Sequence, residues 1–172
     1  MLIRKMVKTD AEAYRELRLR GLQLNPEAFG SSYEESREHD VETFRQRIPE
    51  PDSENVIFVA EEDGQLLGIV ALVRETYKKM KHKASIYGVY VDAPARGRGI
   101  GRLLMQHTLD HARQLTGLRQ IILSVATTNT AAFNLYESLG FTTWGTEPAA
   151  LFVNDTFYDE HNMILYLDAI KT

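Results

Sequence analysis

Two hydrophobic rhythms run along this chain. Continuous apolar runs at 56–60 and 66–73, separated by Asp63 and Gly64, read as a hairpin of buried strands, because apolar runs bounded by a turn dipeptide are strand signals. Residues 2–7, 84–91 and 121–126 carry runs of the same kind, and 141–146 with 156–167 close the chain as two more strands. A longer rhythm marks the helices. From Ile100 to Thr116, an advance of about 100° per residue places Leu104, Met105, Leu109, Ala112 and Leu115 on one arc and Arg102, Gln106, Asp110 and Arg113 on the other. Gly117 closes that helix, and Gly140 stops a second one over 129–139. Near the start, Thr9-Asp10-Ala11-Glu12 reads as the capped beginning of a helix with Ala13, Leu17 and Leu24 at helical spacing, fading at Asn25-Pro26. Residues 29–48 are polar and predict a loop with one or two short helices; 78–83 form a basic connection.

The order is strand, helices, three strands, helix, strand, helix, two strands. Strand and helix alternate through the centre and antiparallel hairpins lie at both ends, which predicts an α/β (α+β) fold with a mixed sheet and helices on its faces. At 172 residues the length suits one domain, 1–172, with a real core. Hydrophobic residues at 44% and charged ones at 26% match an ordinary soluble globular protein. There is no cysteine, which removes disulfides, thiolate metal sites and an acyl-cysteine intermediate together. The first seven residues are too short and too charged for a signal peptide, and no apolar run approaches the roughly 20 residues of a membrane span, so a cytoplasmic protein with no membrane partner is expected.

A net charge of −4 argues against nucleic acid as a partner and makes any cluster of arginines a local feature. One such cluster follows the strand at 84–91. There Arg96-Gly97-Arg98-Gly99-Ile100-Gly101-Arg102 joins a strand to a helix, so glycine amides and the positive helix end point at one spot. A pyrophosphate suits that cradle; the plain alternative is a tight turn with solvated arginines. No Gly-Lys-Ser/Thr ending marks a nucleoside-triphosphate loop, and the glycine spacing lacks the G-x-G-x-x-G of dinucleotide folds. In the later helix, Asn129 can cap the start and Tyr136 lies seven residues on, roughly on the same side. By themselves these are a cap and a packing aromatic.

Together the two blocks resemble the GNAT superfamily of acyl-CoA-dependent N-acyltransferases. Arg96-x-x-Gly99-x-Gly101 is similar to its R/Q-x-x-G-x-G/A pyrophosphate loop, and Asn129-x-x-Ala132-x-x-Leu135-Tyr136-x-x-x-Gly140-Phe141 to its second block. The resemblance covers nearly the whole chain and implies a three-layer fold, a mixed and mostly antiparallel sheet of about seven strands flanked by about four helices. It implies acetyl-CoA as donor, held by the main chains of Val89 and Val91, by Arg96, Gly97, Arg98, Gly99, Ile100, Gly101 and Arg102, and by Asn129. It also implies that the Val89 N–H polarises the thioester carbonyl, that Tyr136 is the general acid, and that copies pair into a homodimer through the C-terminal strands.

The function expected on that basis is acetyl transfer from acetyl-CoA to a primary amine of a small molecule or peptide, by direct attack in a ternary complex. An acyl-CoA-binding sensor without turnover is the alternative. Family members with a carboxylate early on the strand before the loop are matched here by Ser85, then Tyr87, so no base is assigned. Glu75, Glu147, Asp159 and Glu160 lie near predicted strand ends, where solvated acids are common. His107 and His111, one turn apart, have no evident third ligand and suit boundary packing better than a metal, and none is expected. A polyamine, an amino acid, an aminoglycoside or a peptide amino terminus all remain acceptor candidates, the acidic balance favouring a cation.

Overall fold

In the computed structural model, which describes residues 1–167, the strand Val56–Glu62 (β2) is buried along its first five positions. A strand with both faces apolar needs cover on both sides. Val56, Phe58 and Ala60 enter one core, while Ile57 and Val59 enter another on the opposite face. The first core is closed by α4 (Ile100–Gln114) and by Tyr136 of α5 (Thr130–Ser138); the second is closed by α1 (Ala11–Leu24) and by Phe29 and Ile48. The result is the expected three-layer arrangement.

The seven strands are β1 (Leu2–Lys5), β2, β3 (Gln65–Arg74), β4 (Lys83–Val91), β5 (Gln120–Ala126), β6 (Thr142–Val153) and β7 (Thr156–Tyr166), in the order β1-β2-β3-β4-β5-β7-β6. Every neighbouring pair is antiparallel except β4 with β5. The α-helices number five among the described residues, against the about four expected, and residues 29–48 hold two short ones as the pattern allowed, α2 (Tyr33–Arg37) and α3 (Val41–Arg47). Four of the five residues expected on the apolar arc of α4, Leu104, Met105, Leu109 and Ala112, are buried, each such Leu or Met contributing about 1.5–3 kcal/mol, while the helix ends at Gln114 and Leu115 follows as its half-buried C-cap. No helix among the described residues is long and apolar enough to cross a membrane.

Three details depart from the pattern-based expectation. The N-terminal helix starts at Ala11, and Asp10 does not cap it; its carboxylate takes two hydrogen bonds from Arg4, at 2.7 and 2.9 Å, and one from the Val7 N–H. Leu24 is 58% exposed, while Ala11, Leu17, Gly21 and Leu22 face the core, so the buried stripe runs along a different line than the spacing of Leu17 and Leu24 suggested. The sixth strand extends past Thr146 to Val153, across a register break between Glu147 and Leu151. Pro148-Ala149-Ala150 interrupts the alternation there, and the Ala149 amide (φ +52°) donates to Asp159 Oδ1 at 2.8 Å. The single-domain expectation, 1–172, includes 168–172, which lie outside the described residues.

Candidate active site

The site begins with a defect in β4. Ile69 of β3 faces Tyr90 but Ala71 faces Tyr87, so β4 carries an extra residue across this interval, a β-bulge. Gly88 sits inside it at φ +60°, a conformation that other residues adopt only with strain. The parallel ladder to β5 also stops here, at Ser85 opposite Ile122. The two strands then splay, which leaves the β5-facing edge of β4 around Val89 and Val91 without a strand partner. Two clefts meet at the bulge.

The first cleft, about 540 Å³, lies on the Val89 side. Its floor is the loop leading into α4, where Gly97 and Gly99 hold φ values of +77° and +76°. The first bond of the helix runs from the Leu103 amide to the Gly99 carbonyl, so the amides of Ile100, Gly101 and Arg102 have no helical acceptor. Gly101 differs from the other two glycines, since a Cβ there would stand at an ordinary 3.5 Å from Leu135.

The three loop arginines divide. Arg96 lines the cleft, donating to the Val91 carbonyl at 3.0 Å and to Asn25 Oδ1 at 2.6 Å. Arg102 also lines it and donates to Ser138 Oγ at 2.8 Å. Arg98 is committed elsewhere: its guanidinium sits 2.7 Å from Glu62, whose carboxyl it holds below the usual range. Only the main chain of Arg98 stays with the loop.

Across the cleft stands α5. The Asn129 side chain accepts from the Ala132 amide at 3.2 Å, so it caps the helix while bordering the cleft. Tyr136 is 5% exposed and packs on Phe141 with ring centroids 6.1 Å apart. Its hydroxyl has no hydrogen-bond partner among the described residues, yet no buried side-chain polar atom among them is left unpaired. The hydroxyl therefore faces the open cleft. Burial pushes its pKa up, so the phenol remains a neutral donor across the physiological range.

The second cleft, about 310 Å³, lies on the Ser85 side of the bulge and shares Ala28 with the first. Here the four carboxylates singled out in the sequence separate. Asp159 is occupied by the Ala149 amide, and Glu75 is half-buried just beyond the end of β3, outside the cleft's lining. Glu147 and Glu160 stand directly opposite one another across β6 and β7, and Glu160 lines the cleft. Burial first, and the facing Glu147 second, raise its pKa. Arg18 of α1 enters the same cleft from the far side. Sequence reasoning assigned neither Arg18 nor Glu160, because the pairings that bring β7 beside β5, and β5 beside β4, are non-local. His107 and His111 pack beside Phe58 at 6.1 and 6.0 Å, the boundary role expected of them.

The family model of the acetyltransferase (GNAT) family matches residues 19–141, a span holding both the glycine loop and α5. This chain belongs to that family. Among relatives, it is 37% identical over 132 residues to the mycothiol acetyltransferase of Thermobispora bispora, covering 72% of this chain and 42% of that protein. It is 30% identical over 106 residues to the spermidine N(1)-acetyltransferase of Vibrio cholerae, covering 60% of each. The chain thus spans less than half the length of its mycothiol acetyltransferase relatives, 42% and 41% for two of them. In fold it superposes on yncA from Salmonella typhimurium, solved with its cofactor acetyl-CoA, with a TM-score of 0.85 and 22% identity over 99% of this chain and 96% of that one.

Proposed function

We propose that this protein transfers an acetyl group from acetyl-CoA to a primary amine of a small molecule or peptide, by direct attack in a ternary complex. The observation that carries the reading is the convergence, at one bulge, of an unpaired strand edge, a loop of free amides and a tyrosine hydroxyl open to the same cleft. The residues suit coenzyme A. Gly97 and Gly99 have nothing within 4 Å of an added Cβ, leaving room for a pyrophosphate against the first turn of α4. Arg96 and Arg102 border that space without a carboxylate partner among the described residues.

Bound acetyl-CoA supplies its acyl group as an activated thioester. The Val89 N–H is the donor for the carbonyl oxygen as charge builds there. Tyr136 donates toward the departing sulfur, so the thiol leaves with a proton and the phenol is replenished from water. A free alkyl amine has a pKa of about 10 and must lose a proton before it attacks. Glu160, across the bulge, is the carboxylate placed to accept it, and a raised pKa makes it a better base. The N–C bond forms as the C–S bond breaks, and no enzyme nucleophile intervenes.

The test pairs calorimetry with a thiol-release assay over a panel of amines. Saturable acetyl-CoA binding and amine-dependent thiol release are expected. No binding at millimolar ligand, or binding indifferent to bulky residues at both Gly97 and Gly99, would sink the donor half. A sensor without turnover is disfavoured, since its support was the lack of a base and Glu160 supplies one.

A further inference from the structure

Among the described residues, Arg18 brings the only cationic side chain to the smaller cleft and Glu160 the only carboxylate. The two are held very differently. Arg4, Arg20, Arg74 and Arg98 each meet a carboxylate within 3.2 Å, whereas Arg18 meets none among the described residues. Its Nη2 donates to Ser31 Oγ at 3.1 Å and its guanidinium lies 4.2 Å over the Phe29 ring. Burial first lowers the pKa of Arg18, with Tyr14 opposing and the positive charge of Arg47 adding to the fall, though a guanidinium stays cationic at neutral pH. A half-buried, fixed and unneutralised guanidinium is preorganised for a bidentate anion.

Its position links it to the reaction. Nη1 stands 3.2 Å from where a Cβ on Gly88 would be, so the glycine of the bulge keeps the guanidinium face open one residue before Val89. An anion held there lies beside the point where the two clefts meet. In the same lining Glu160 of β7, with Glu147 facing it from β6, favours an ammonium. Tyr87 and Trp144, 56% and 64% exposed, give the rim two aromatic faces for an apolar substituent. A volume of about 310 Å³ fits a small acceptor.

We infer that the acceptor is an α-amino acid or close analogue with a free anionic group beside its amine, Arg18 anchoring the anion and Glu160 facing the amine. This rests on the acetyl-transfer reading above. It excludes a polyamine, which offers Arg18 only like charge, and so separates this chain from the spermidine relative and from the cationic acceptor that net charge favoured.

The experiment measures thiol release from acetyl-CoA by the full chain with free L-leucine, L-methionine and L-phenylalanine, with their carboxamides, and with spermidine. Free acids are expected to exceed their carboxamides in kcat/KM by about 10- to 100-fold, the worth of hydrogen bonds to a charged group. Arg18→Met keeps an apolar stem on Phe29 and should bring that ratio toward one through KM, with Arg18→Lys intermediate and acetyl-CoA affinity by calorimetry unchanged. Calorimetric binding of N-acetyl-L-methionine with coenzyme A should be lost in Arg18→Met. Carboxamides or spermidine matching the free acids, or an acid-to-amide ratio unmoved by Arg18→Met, overturns this inference and leaves the transfer reading standing. Failure of acetyl-CoA to bind at all overturns both.

Discussion

The two clefts that meet at the β4 bulge are built by opposite means. The larger one presents mainly backbone: free amides, two left-handed glycines and an unpaired strand edge, all within one stretch of chain plus the next helix. The smaller one presents side chains drawn from α1, β4, β5, β6 and β7. Backbone recognition suits a donor that never changes, since it tolerates variation in the side chains around it. Side-chain recognition suits an acceptor, because single substitutions on separate elements re-specify the cleft without disturbing the loop.

That division makes testable statements, the largest first. Tyr136→Phe should lower kcat by about 10²- to 10⁴-fold, the range for a lost general acid, with acetyl-CoA affinity held within about twofold by calorimetry. Intact turnover would remove Tyr136 from the chemistry. Glu160→Gln should cost about 10²-fold in kcat/KM at pH 7, shrinking as pH rises toward the amine's own pKa of about 10, because the neutral amine then needs no base. Stability moves the other way in that variant. Folding favours protonated Glu160, so its stabilising contribution is complete below the ordinary carboxylate pKa and is lost as pH rises through the raised one. The Gln variant should therefore melt higher than the parent at pH 7, with the gain vanishing near pH 4.

Smaller effects separate the members of the loop. Gly99→Val should weaken acetyl-CoA binding by about 10-fold, since a left-handed φ costs a non-glycine residue about 1–2 kcal/mol, while Gly101→Ala should fall within about twofold of the parent. Equal losses at both positions would mean that size, not backbone conformation, selects glycine. Least of all, Arg98→Ala should change acetyl-CoA affinity by less than about threefold, because its guanidinium is spent on an exposed pair with Glu62, and such pairs contribute little. Arg96→Ala and Arg102→Ala should each cost more. A larger loss at Arg98 would show that its guanidinium leaves Glu62 for the phosphates.

Legibility in the sequence follows the same line. The helix at Ile100, its buried arc and the glycine loop were readable because periodicity and turn chemistry act within a few residues. The Asn129 cap and the Tyr136 burial followed for the same reason. What failed involved side chains taken by groups outside their own element: Asp10 turned back to Arg4 and the Val7 amide, the sixth strand ran on as Asp159 of β7 caught the Ala149 amide, and Arg98 turned to Glu62 of β2. In each case a group on another element took a side chain or amide that its own element left free.

By itself, the sequence determined the layers, the strand that breaks into a glycine loop and the helix that carries Asn129 and Tyr136, since these depend on hydrophobic period and on glycine's access to positive φ. The tertiary structure alone decided where β4 parts from β5, which arginines remain available, and that Arg18 and Glu160 face one cleft although 142 positions separate 18 from 160 in the chain. Strand register and sheet order bring those groups together, and neither is written in the spacing of the residues they unite.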